Sequence, residues 1–221
     1  MNEIKVTLIS NTVGSDILWE PEDLTALGKR ICNSANSLEE LIEDNYYKKV
    51  DWRNKKTLEE KHMGILEHIS FTFLIEGGSR VMTHQLVRHR MASYLQMSQR
   101  VVPMKELDLI VPPDIIGTEW ECVWLNKLKE LKEIYEKMDA EKKSDGKKRF
   151  DQGDIRYIMP HGMETRIWMT INGRSLCHFL KERLINPRAQ WEIKEVARQM
   201  YELAYKVCPI LINLETSGCW E

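Results

Sequence analysis

Three stretches of the chain alternate between apolar and polar residues, and this alternation predicts β-strands. They read IKVTLI at residues 4–9, HISFTFLI at 68–75 and ETRIWMTIN at 164–172. A pair of glycines beginning at Gly77 follows the second stretch, and Gly173 follows the third. Glycine favours turns, so we expect both strands to end at these positions.

Apolar residues at intervals of three and four positions predict amphipathic helices in much of the remaining chain. Residues typical of helix starts mark where these helices begin. The predicted starts are Pro21, Ser37, Thr57 (with Glu60 completing a capping box), Ser79, and Asn186 followed by Pro187. The Lys-rich segment before Thr57 and the Pro-rich segment 103–117 are predicted to be irregular.

The longest predicted helix carries a stripe of aromatic and aliphatic side chains. The stripe comprises Trp120, Trp124, Leu128, Leu131, Tyr135 and Met138. Such a stripe normally faces the protein interior, so we expect these side chains to lie in the core. The last predicted helix runs through Ile193 and Val207 and stops before Pro209.

A loose repeat relates two parts of the chain. Residues 69–90 and 166–183 each contain a strand, a turn with glycine, a serine and a helix that leads to arginine. This order predicts an α+β fold: a single compact domain over residues 1–221, with mixed helices, an antiparallel sheet and two loosely repeated strand–turn–helix lobes. The EGGSR segment at 76–80 matches neither G-x-G-x-x-G nor a Walker A loop, so any flavin site is expected to be non-Rossmann.

Composition narrows the classes of function. The 221 residues carry a formal net charge of −2, which opposes nucleic-acid binding because such proteins normally have a basic excess. No apolar run approaches the ~20 residues of a membrane span, and the first ten residues do not resemble a signal peptide. The five cysteines are widely spaced and form no CxxC pair, which favours a cytoplasmic location without disulfides or a metal site.

One segment concentrates cations in this near-neutral chain: residues 87–100 read VRHRMASYLQMSQR, with three arginines and a histidine. Guanidinium groups bind phosphates and carboxylates, so the segment is a candidate site for a phosphorylated anion or the pyrophosphate of a flavin or nucleotide. A solvated basic helix face is the alternative. If the helix from Ser79 continues, Gln85, Arg88 and His89 share one side of it.

Two further polar clusters lie near strand–helix junctions, where anions often bind helix N-termini. One is Arg156, shortly before Pro160. The other comprises Asn172, Arg174, His178 and Arg183. In a regular α-helix, positions five apart such as His178 and Arg183 need not share a face.

Two catalytic alternatives are weak. A hydrolase built on Ser98 and His89 lacks the G-x-S-x-G turn that would present the serine. A metal site built on His62 and His68 is disfavoured, because a spacing of six does not put both on one helix face.

The motif at 88–100 resembles the signature of the flavin-dependent thymidylate synthases, which is R-H-R, seven residues, then S. Arg88, His89, Arg90 and Ser98 have this spacing. Further segments also resemble the family: HMGILEHISFTF at 62–73, MPHGMETR at 159–166, NGRSLCHFLKER at 172–183 and AQWEI at 189–193. The resemblance covers roughly residues 60–200.

The resemblance implies an enzyme that methylates dUMP to dTMP. The implied carbon donor is 5,10-methylenetetrahydrofolate, and the reducing equivalents come from NADPH through FAD. It also implies a homotetramer whose active sites are shared between subunits. An inactive relative that only binds flavin or nucleotide is the alternative reading.

The resemblance also implies roles for individual residues. FAD would contact Gly64, Arg88, His89, Arg90, Gln96, Asn172, Arg174 and His178. The nucleotide dUMP would contact Gln85, Arg88, Gln96, Ser98, Gln99, Arg100, Arg156 and Arg183. Of these, Arg100 would bind the phosphate, and Arg183 would be catalytic, favouring ionisation of uracil N3. Such a polarised ring could react without attack by a cysteine, and Cys177 is expected to be a small buried residue.

Four positions differ from the family pattern or allow two readings. Val101 stands where tyrosine is common, Gly64 where a small hydroxyl residue is common, and Gln96 where some members have glutamate. Glutamine both donates and accepts hydrogen bonds, so we expect its role to be kept. His62 matches a family histidine near the folate site, and an exposed surface histidine is the alternative.

Overall fold

The computed structural model describes residues 3–13, 20–43, 49–103 and 107–214. Its strands are β1 (Lys5–Asn11), β2 (Ser70–Ser79), β3 (Ala92–Gln96) and β4 (Glu164–Asn172). Its helices are α1 (Pro21–Ile31), α2 (Leu38–Glu43), α3 (Val50–Glu59), α4 (Arg80–Leu86), α5 (Trp120–Ala140), α6 (Gln152–Ile155), α7 (Gly173–Leu180) and α8 (Trp191–Val207). Short 3₁₀ turns cover Met63–His68, Pro113–Ile115 and Arg156–Ile158, and one π-helical turn covers Lys181–Ile185.

The four strands form one antiparallel sheet in the order β1-β2-β4-β3. Its two central strands pair through Phe71 with Ile171 and Phe73 with Met169, all fully or almost fully buried. These residues belong to one core that also contains buried side chains of α4, α7 and α8, such as Leu86. The predicted α+β fold with an antiparallel sheet is therefore confirmed, and β2–α4 and β4–α7 are its two strand–helix units.

The double glycine does not end the second strand as predicted, because β2 continues to Ser79. The register against β4 shifts between Ile75 and Gly78, which indicates a bulge. Gly77 has φ of +74° there, and a Cβ on it would lie 2.6 Å from the carbonyl oxygen of Glu3. The glycine thus lets the strand bend beside the N-terminal segment and continue.

The helix predicted to begin at Thr57 begins earlier, at Val50, and ends two residues after Thr57. The predicted capping box is therefore wrong. Thr57 is buried, and its hydroxyl donates to the carbonyl of Arg53 at 3.0 Å, one turn back in the same helix. Part of the Lys-rich segment predicted as irregular is helical, and residues 44–48 within it lie outside the described residues.

The start predicted for the last helix is also wrong. The side chain of Gln190, not Asn186, caps α8 by accepting from the backbone N–H groups of Glu192 and Ile193. Asn186 instead accepts from the backbone N–H of Arg188 at 3.0 Å, in the turn before the helix.

The aromatic stripe of α5 is only partly in the core. Leu128 and Tyr135 are buried, but Trp120 is 63% exposed and Trp124 is 39% exposed. Tyr135 belongs to a second, smaller core with residues such as Met159. The prediction is therefore correct for the C-terminal half of the helix and wrong for the N-terminal half, whose apolar face is open in the single chain.

A buried carboxylate ties α8 to the junction between β2 and α4. Glu192, 3% exposed, accepts from the backbone N–H of Ser79 at 2.8 Å and from its hydroxyl at 2.6 Å. The same hydroxyl accepts from the backbone N–H of Met82 at 3.1 Å and so caps α4, as predicted. Glu192 therefore fixes the point from which α4 leads into the Arg-rich motif.

We expect Glu192→Ala to lower the free energy of unfolding by about 2–4 kcal/mol, because it leaves two buried donors of Ser79 unpaired. Urea denaturation at one fixed protein concentration measures this change. Glu202→Ala is the matched control, since Glu202 lies on the same helix and forms only an exposed ion pair with Arg198. We expect it to change stability by less than about 1 kcal/mol. Equal effects of the two substitutions would contradict a stabilising role for the hydrogen bonds between Ser79 and Glu192.

Candidate functional site

The Arg-rich motif begins in a turn, not on a helix. Helix α4 ends at Leu86, and the backbone N–H groups of Arg88 and His89 bond back to Gln85 and Leu86 at 3.3 and 3.1 Å. The chain then reverses at Met91, which has φ of +64°, and enters β3. The predicted helix face shared by Gln85, Arg88 and His89 therefore does not extend past Leu86.

Tyr94 holds this turn closed. Its hydroxyl lies 2.9 Å from the carbonyl oxygen of Leu86 and 2.8 Å from that of His89, so its hydrogen is shared between the two acceptors. Burial raises the pKa of Tyr94 to about 12, which keeps the hydroxyl protonated and able to donate. The motif thus contains the side chain that fixes its own turn.

Strand β3 was not predicted, although it lies inside the motif. It pairs with β4, and Gln96 lies opposite Ile167 at its end. The side-chain amide of Gln96 donates to the hydroxyl of Thr83 at 2.9 Å and lies 3.4 Å from that of Thr165. Two hydroxyls from α4 and β4 therefore orient this glutamine.

The structure brings together His89 and Arg183, which are distant in sequence. The Nε of Arg183 donates to the Nε2 of His89 at 2.8 Å. The His89 ring also contacts Phe179 edge-on, with centroids 4.9 Å apart, and approaches the ring of His178 with centroids 6.3 Å apart. Desolvation by burial, with smaller contributions from Arg183 and His178, lowers the pKa of His89 to about 4. The imidazole is therefore neutral near neutral pH and can accept from Arg183.

The π-helical turn brings Arg183 to this position. In Lys181–Ile185 the backbone hydrogen bond closes over five residues, as from the N–H of Asn186 to the carbonyl of Lys181. Such turns occur mostly as single insertions at functional sites. Although five positions need not share a face of a regular α-helix, His178 and Arg183 both approach His89.

The start of α7 forms the other end of this cluster. The side-chain oxygen of Asn172 caps the helix by accepting from the backbone N–H of Ser175 at 2.8 Å. Arg174 pairs with Glu67 at 2.5 Å across the surface. Gly173 allows the start of α7 to pack closely against the turn Met63–His68, because a Cβ on this residue would lie 2.9 Å from the carbonyl oxygen of Leu66. Asn172 thus caps α7, in addition to the contact with FAD that the family resemblance implies.

A cavity of about 580 Å³ opens between α1 and the turn Met63–His68. Most of its lining is apolar, and Gly64, His62 and His68 also line it. Nothing lies within 4 Å of the place that a Cβ of Gly64 would take. His62 is exposed and lines this cavity, so both readings of that histidine keep support.

The remaining predicted residues lie around α6 and the turn after β3. Gln99 and Arg156 line a cavity of about 450 Å³. Arg100 lines a separate surface groove, and its backbone N–H donates to the Ser98 hydroxyl at 3.2 Å. The described residues contain no hydrogen bond between Ser98 and His89, so the weak hydrolase hypothesis gains no geometric support. No group of three metal-binding side chains occurs among the described residues either.

The sequence analysis missed three residues of the cavity that holds Gln99 and Arg156. They are Arg80, His84 and His161. The first two lie four positions apart on α4, a spacing that puts them on one face and could have identified them. His161 could not be placed beside them from sequence, since it lies nearly eighty positions away.

Comparison with known proteins gives a consistent result. Residues 12–210 match a family model described as thymidylate synthase complementing protein. The chain is 35% identical to a flavin-dependent thymidylate synthase of Clostridium tetani over 226 residues, which covers 98% of this chain and 88% of that protein. It is 34% identical to that of Geobacter sulfurreducens, with the same coverage. A Pyrococcus furiosus flavin-dependent thymidylate synthase is 45% identical over 64% of this chain and 57% of its own length.

We expect His89 to titrate at about pH 4, and Arg183→Gln to raise that pKa only in part, because burial, the larger cause, stays. Nuclear magnetic resonance of isotope-labelled histidine side chains measures the titration. Arg174→Gln is the control, because it removes a cation from the start of the neighbouring helix α7, where Arg174 pairs with Glu67. A pKa of His89 that Arg183→Gln leaves unchanged would show that the guanidinium does not act on the imidazole.

Proposed function

The chain belongs to the flavin-dependent thymidylate synthase family, and we infer that it is a methyltransferase that makes dTMP from dUMP with a bound flavin. The finer steps are our proposals. The carbon comes from 5,10-methylenetetrahydrofolate, the flavin is FAD, and NADPH reduces it. One dUMP, one methylenetetrahydrofolate, one NADPH and one proton then give dTMP, tetrahydrofolate and NADP⁺.

The contact between Arg183 and His89 carries this proposal. His89 occupies the Nε of Arg183, and the described residues offer no hydrogen bond to its two terminal nitrogens. Those nitrogens remain available for the edge of a uracil ring. Because His89 is neutral, it orients the guanidinium without cancelling its charge. A fixed cation beside N3 favours the ring anion and raises the electron density at C5, which must attack the incoming carbon.

Attack by a cysteine has no support in the described residues near Arg183. Cys177 lies on α7 but is only 2% exposed and belongs to the core, as predicted. Within the described part of the chain, Ser98 donates no hydrogen bond to a base, and its oxygen accepts from the backbone N–H of Arg100. Activation of dUMP by Arg183 is therefore the reading that the geometry supports, and an inactive relative is not favoured.

The residues present fit a flavin nucleotide. Arg88 and Arg90 are exposed cations suited to a pyrophosphate, and Arg174 would exchange its ion pair with Glu67 for one. The side-chain nitrogen of Asn172 is left for a ligand because its oxygen caps α7. A reduced flavin supplies the electrons that turn a methylene group into a methyl group. We assign His89, Gln96, His178 and the backbone of Gly64 to the same cofactor.

The same family membership supports assignments for the substrates. We propose that dUMP contacts Gln85, Arg88, Gln96, Ser98, Gln99, Arg100, Arg156 and Arg183. The hydroxyls of Thr83 and Thr165 fix the Gln96 amide, so that its carbonyl oxygen is free to accept from a ligand. The largely apolar cavity beside Gly64 has a volume of about 580 Å³, which leaves room for a planar pterin, and His62 lies at its wall.

We further propose a homotetramer whose active sites are shared between chains. The exposed apolar residues of α5, such as Trp120, and those around β3, such as Leu95 at 75% and Val101 at 74% exposure, support burial against other copies. We place the enzyme in the cytoplasm, in line with four described cysteines that are not paired. No helix among the described residues could cross a bilayer. Residues 1–221 are proposed to act as one catalytic domain.

We expect the purified protein to show visible flavin absorption and to oxidise NADPH faster when dUMP is added. Stopped-flow spectroscopy follows both signals, and chromatography detects dTMP once methylenetetrahydrofolate is supplied. The control omits only dUMP. A colourless protein that takes up no added FAD would refute the proposed function.

We expect Arg183→Ala to lower the rate of dTMP formation at least about 100-fold, because it removes a cation that stabilises the developing charge. Flavin content should stay near the parent value. Arg188→Ala is the control, since Arg188 is an exposed arginine a short way along the same segment. The release of tritium from C5 of labelled dUMP and the yield of dTMP measure the effect. Methylation near the parent rate would exclude the role of Arg183 at N3.

A further inference from the structure

Two buried hydroxyls hold the side-chain amide of Gln96 at the end of β3. The amide nitrogen donates to the hydroxyl of Thr83 at 2.9 Å and approaches that of Thr165 at 3.4 Å. Both threonines are almost fully buried, so water competes little for their hydroxyls. The backbone of Gln96 is held as well, because it pairs with Ile167 on β4. The glutamine is therefore fixed through both its backbone and its side chain.

The hydroxyl of Thr83 determines which end of the amide faces it. A hydroxyl has one hydrogen to donate, and Thr83 donates this hydrogen to the carbonyl oxygen of Arg80 at 3.2 Å. Toward Gln96, Thr83 can therefore only accept, so the group that meets it must be a donor. The amide nitrogen of Gln96 is a donor, whereas its carbonyl oxygen is not. Thr83 thus sets the polarity of the amide.

A neutral amide suits position 96 for the same reason. An ionised carboxylate has no hydrogen to donate, so a glutamate at this position would have to take the hydrogen that Thr83 gives to Arg80. Thr83 and Gln96 therefore form a matched pair of uncharged side chains, in which the amide donates and the hydroxyl accepts.

This arrangement leaves the carbonyl oxygen of Gln96 for a ligand. Within the described part of the chain, no hydrogen bond reaches this oxygen, and the side chain is only half-buried. Gln96 ends the strand that connects two segments of the proposed nucleotide site, the turn at His89 and the turn at Ser98. The fixed oxygen therefore belongs to the part of the chain that we assign to the substrate.

We propose that Thr83 is a positioning residue, which makes Gln96 a fixed hydrogen-bond acceptor for the nucleotide. The carbonyl oxygen of Gln96 then accepts from a donor of dUMP, either the N–H of the base or the hydroxyl of the sugar. An amide that could turn freely would have to be ordered during binding, and fixing it beforehand lowers this cost. The identity of the nucleotide rests on the proposed function, whereas the orientation of the amide does not.

Nuclear magnetic resonance of the Gln96 side-chain amide tests its orientation in the ligand-free protein. We expect the amide hydrogens to exchange with solvent faster in Thr83→Val, which lacks the hydroxyl, than in the parent and in Thr83→Ser. Thr170→Val is the matched control, because Thr170 lies on β4 and its hydroxyl pairs with that of Thr72. It should leave the exchange unchanged. Equal exchange in the parent and in Thr83→Val would overturn the proposal.

Calorimetry of the flavin-loaded protein with dUMP tests the consequence for binding. Thr83→Val should weaken binding about three- to tenfold, the range of one neutral hydrogen bond, and Thr83→Ser should weaken it less than about twofold. In a Gln96→Ala background, Thr83→Val should cause no further loss, because Thr83 acts through the amide. A loss of the same size in both backgrounds, or in Thr83→Ser, would mean that Thr83 only supports α4, and would overturn the proposal.

A dUMP analogue without the sugar hydroxyl identifies the donor. If the hydroxyl is the donor, Thr83→Val should no longer affect binding of the analogue. If the base N–H is the donor, the effect of Thr83→Val should persist, and either result supports the role of Thr83. The formation of dTMP by the parent is measured separately. Its absence would refute the proposed function and leave the exchange of the amide hydrogens to decide the role of Thr83.

Discussion

Ser79 pairs with Glu164, and Ser70 pairs with Asn172, at opposite ends of the two central strands. Because β2 and β4 run antiparallel, α4 starts at one end of the sheet and α7 starts at the other. Each helix then passes over the same core, and their far ends meet where Arg183 contacts His89. The site thus depends on the pairing of these strands, since a register shift would separate two residues that are 94 positions apart in sequence.

The two cationic clusters solve different electrostatic problems. At Arg183 the neighbour is an imidazole that burial keeps neutral, so one positive charge is oriented and not repelled. At Arg80 the neighbour is the guanidinium of Arg156, and burial and then this second positive charge lower the pKa of Arg80. The first arrangement suits a group that must polarise a neutral ring, whereas the second leaves two like charges opposed.

The sequence predicted three of the four strands and most helices, because alternation and apolar spacing record which face is buried. It failed for β3, an edge strand with an exposed Leu95, since its pattern reflects one neighbouring strand and no covering layer. The prediction of a helix start at Thr57 was wrong, because its hydroxyl donates to a carbonyl within a helix that begins earlier. A threonine followed three residues later by glutamate gives the same sequence pattern at a helix start and inside a helix. The site residues came from family resemblance, and the contacts that relate them, such as Arg183 with His89, depend on tertiary packing.

Net charge is a poor guide to such a site. Arg149, Arg174 and Arg198 each pair with a glutamate at the surface, so they contribute little to the field of the chain. Arg80 and Arg183 have no carboxylate partner among the described residues, and both are partly buried, where screening by water is weak. A chain with a net charge of −2 can therefore present strong local positive potential. The pairing of each arginine, more than their number, therefore shapes the local field of the chain.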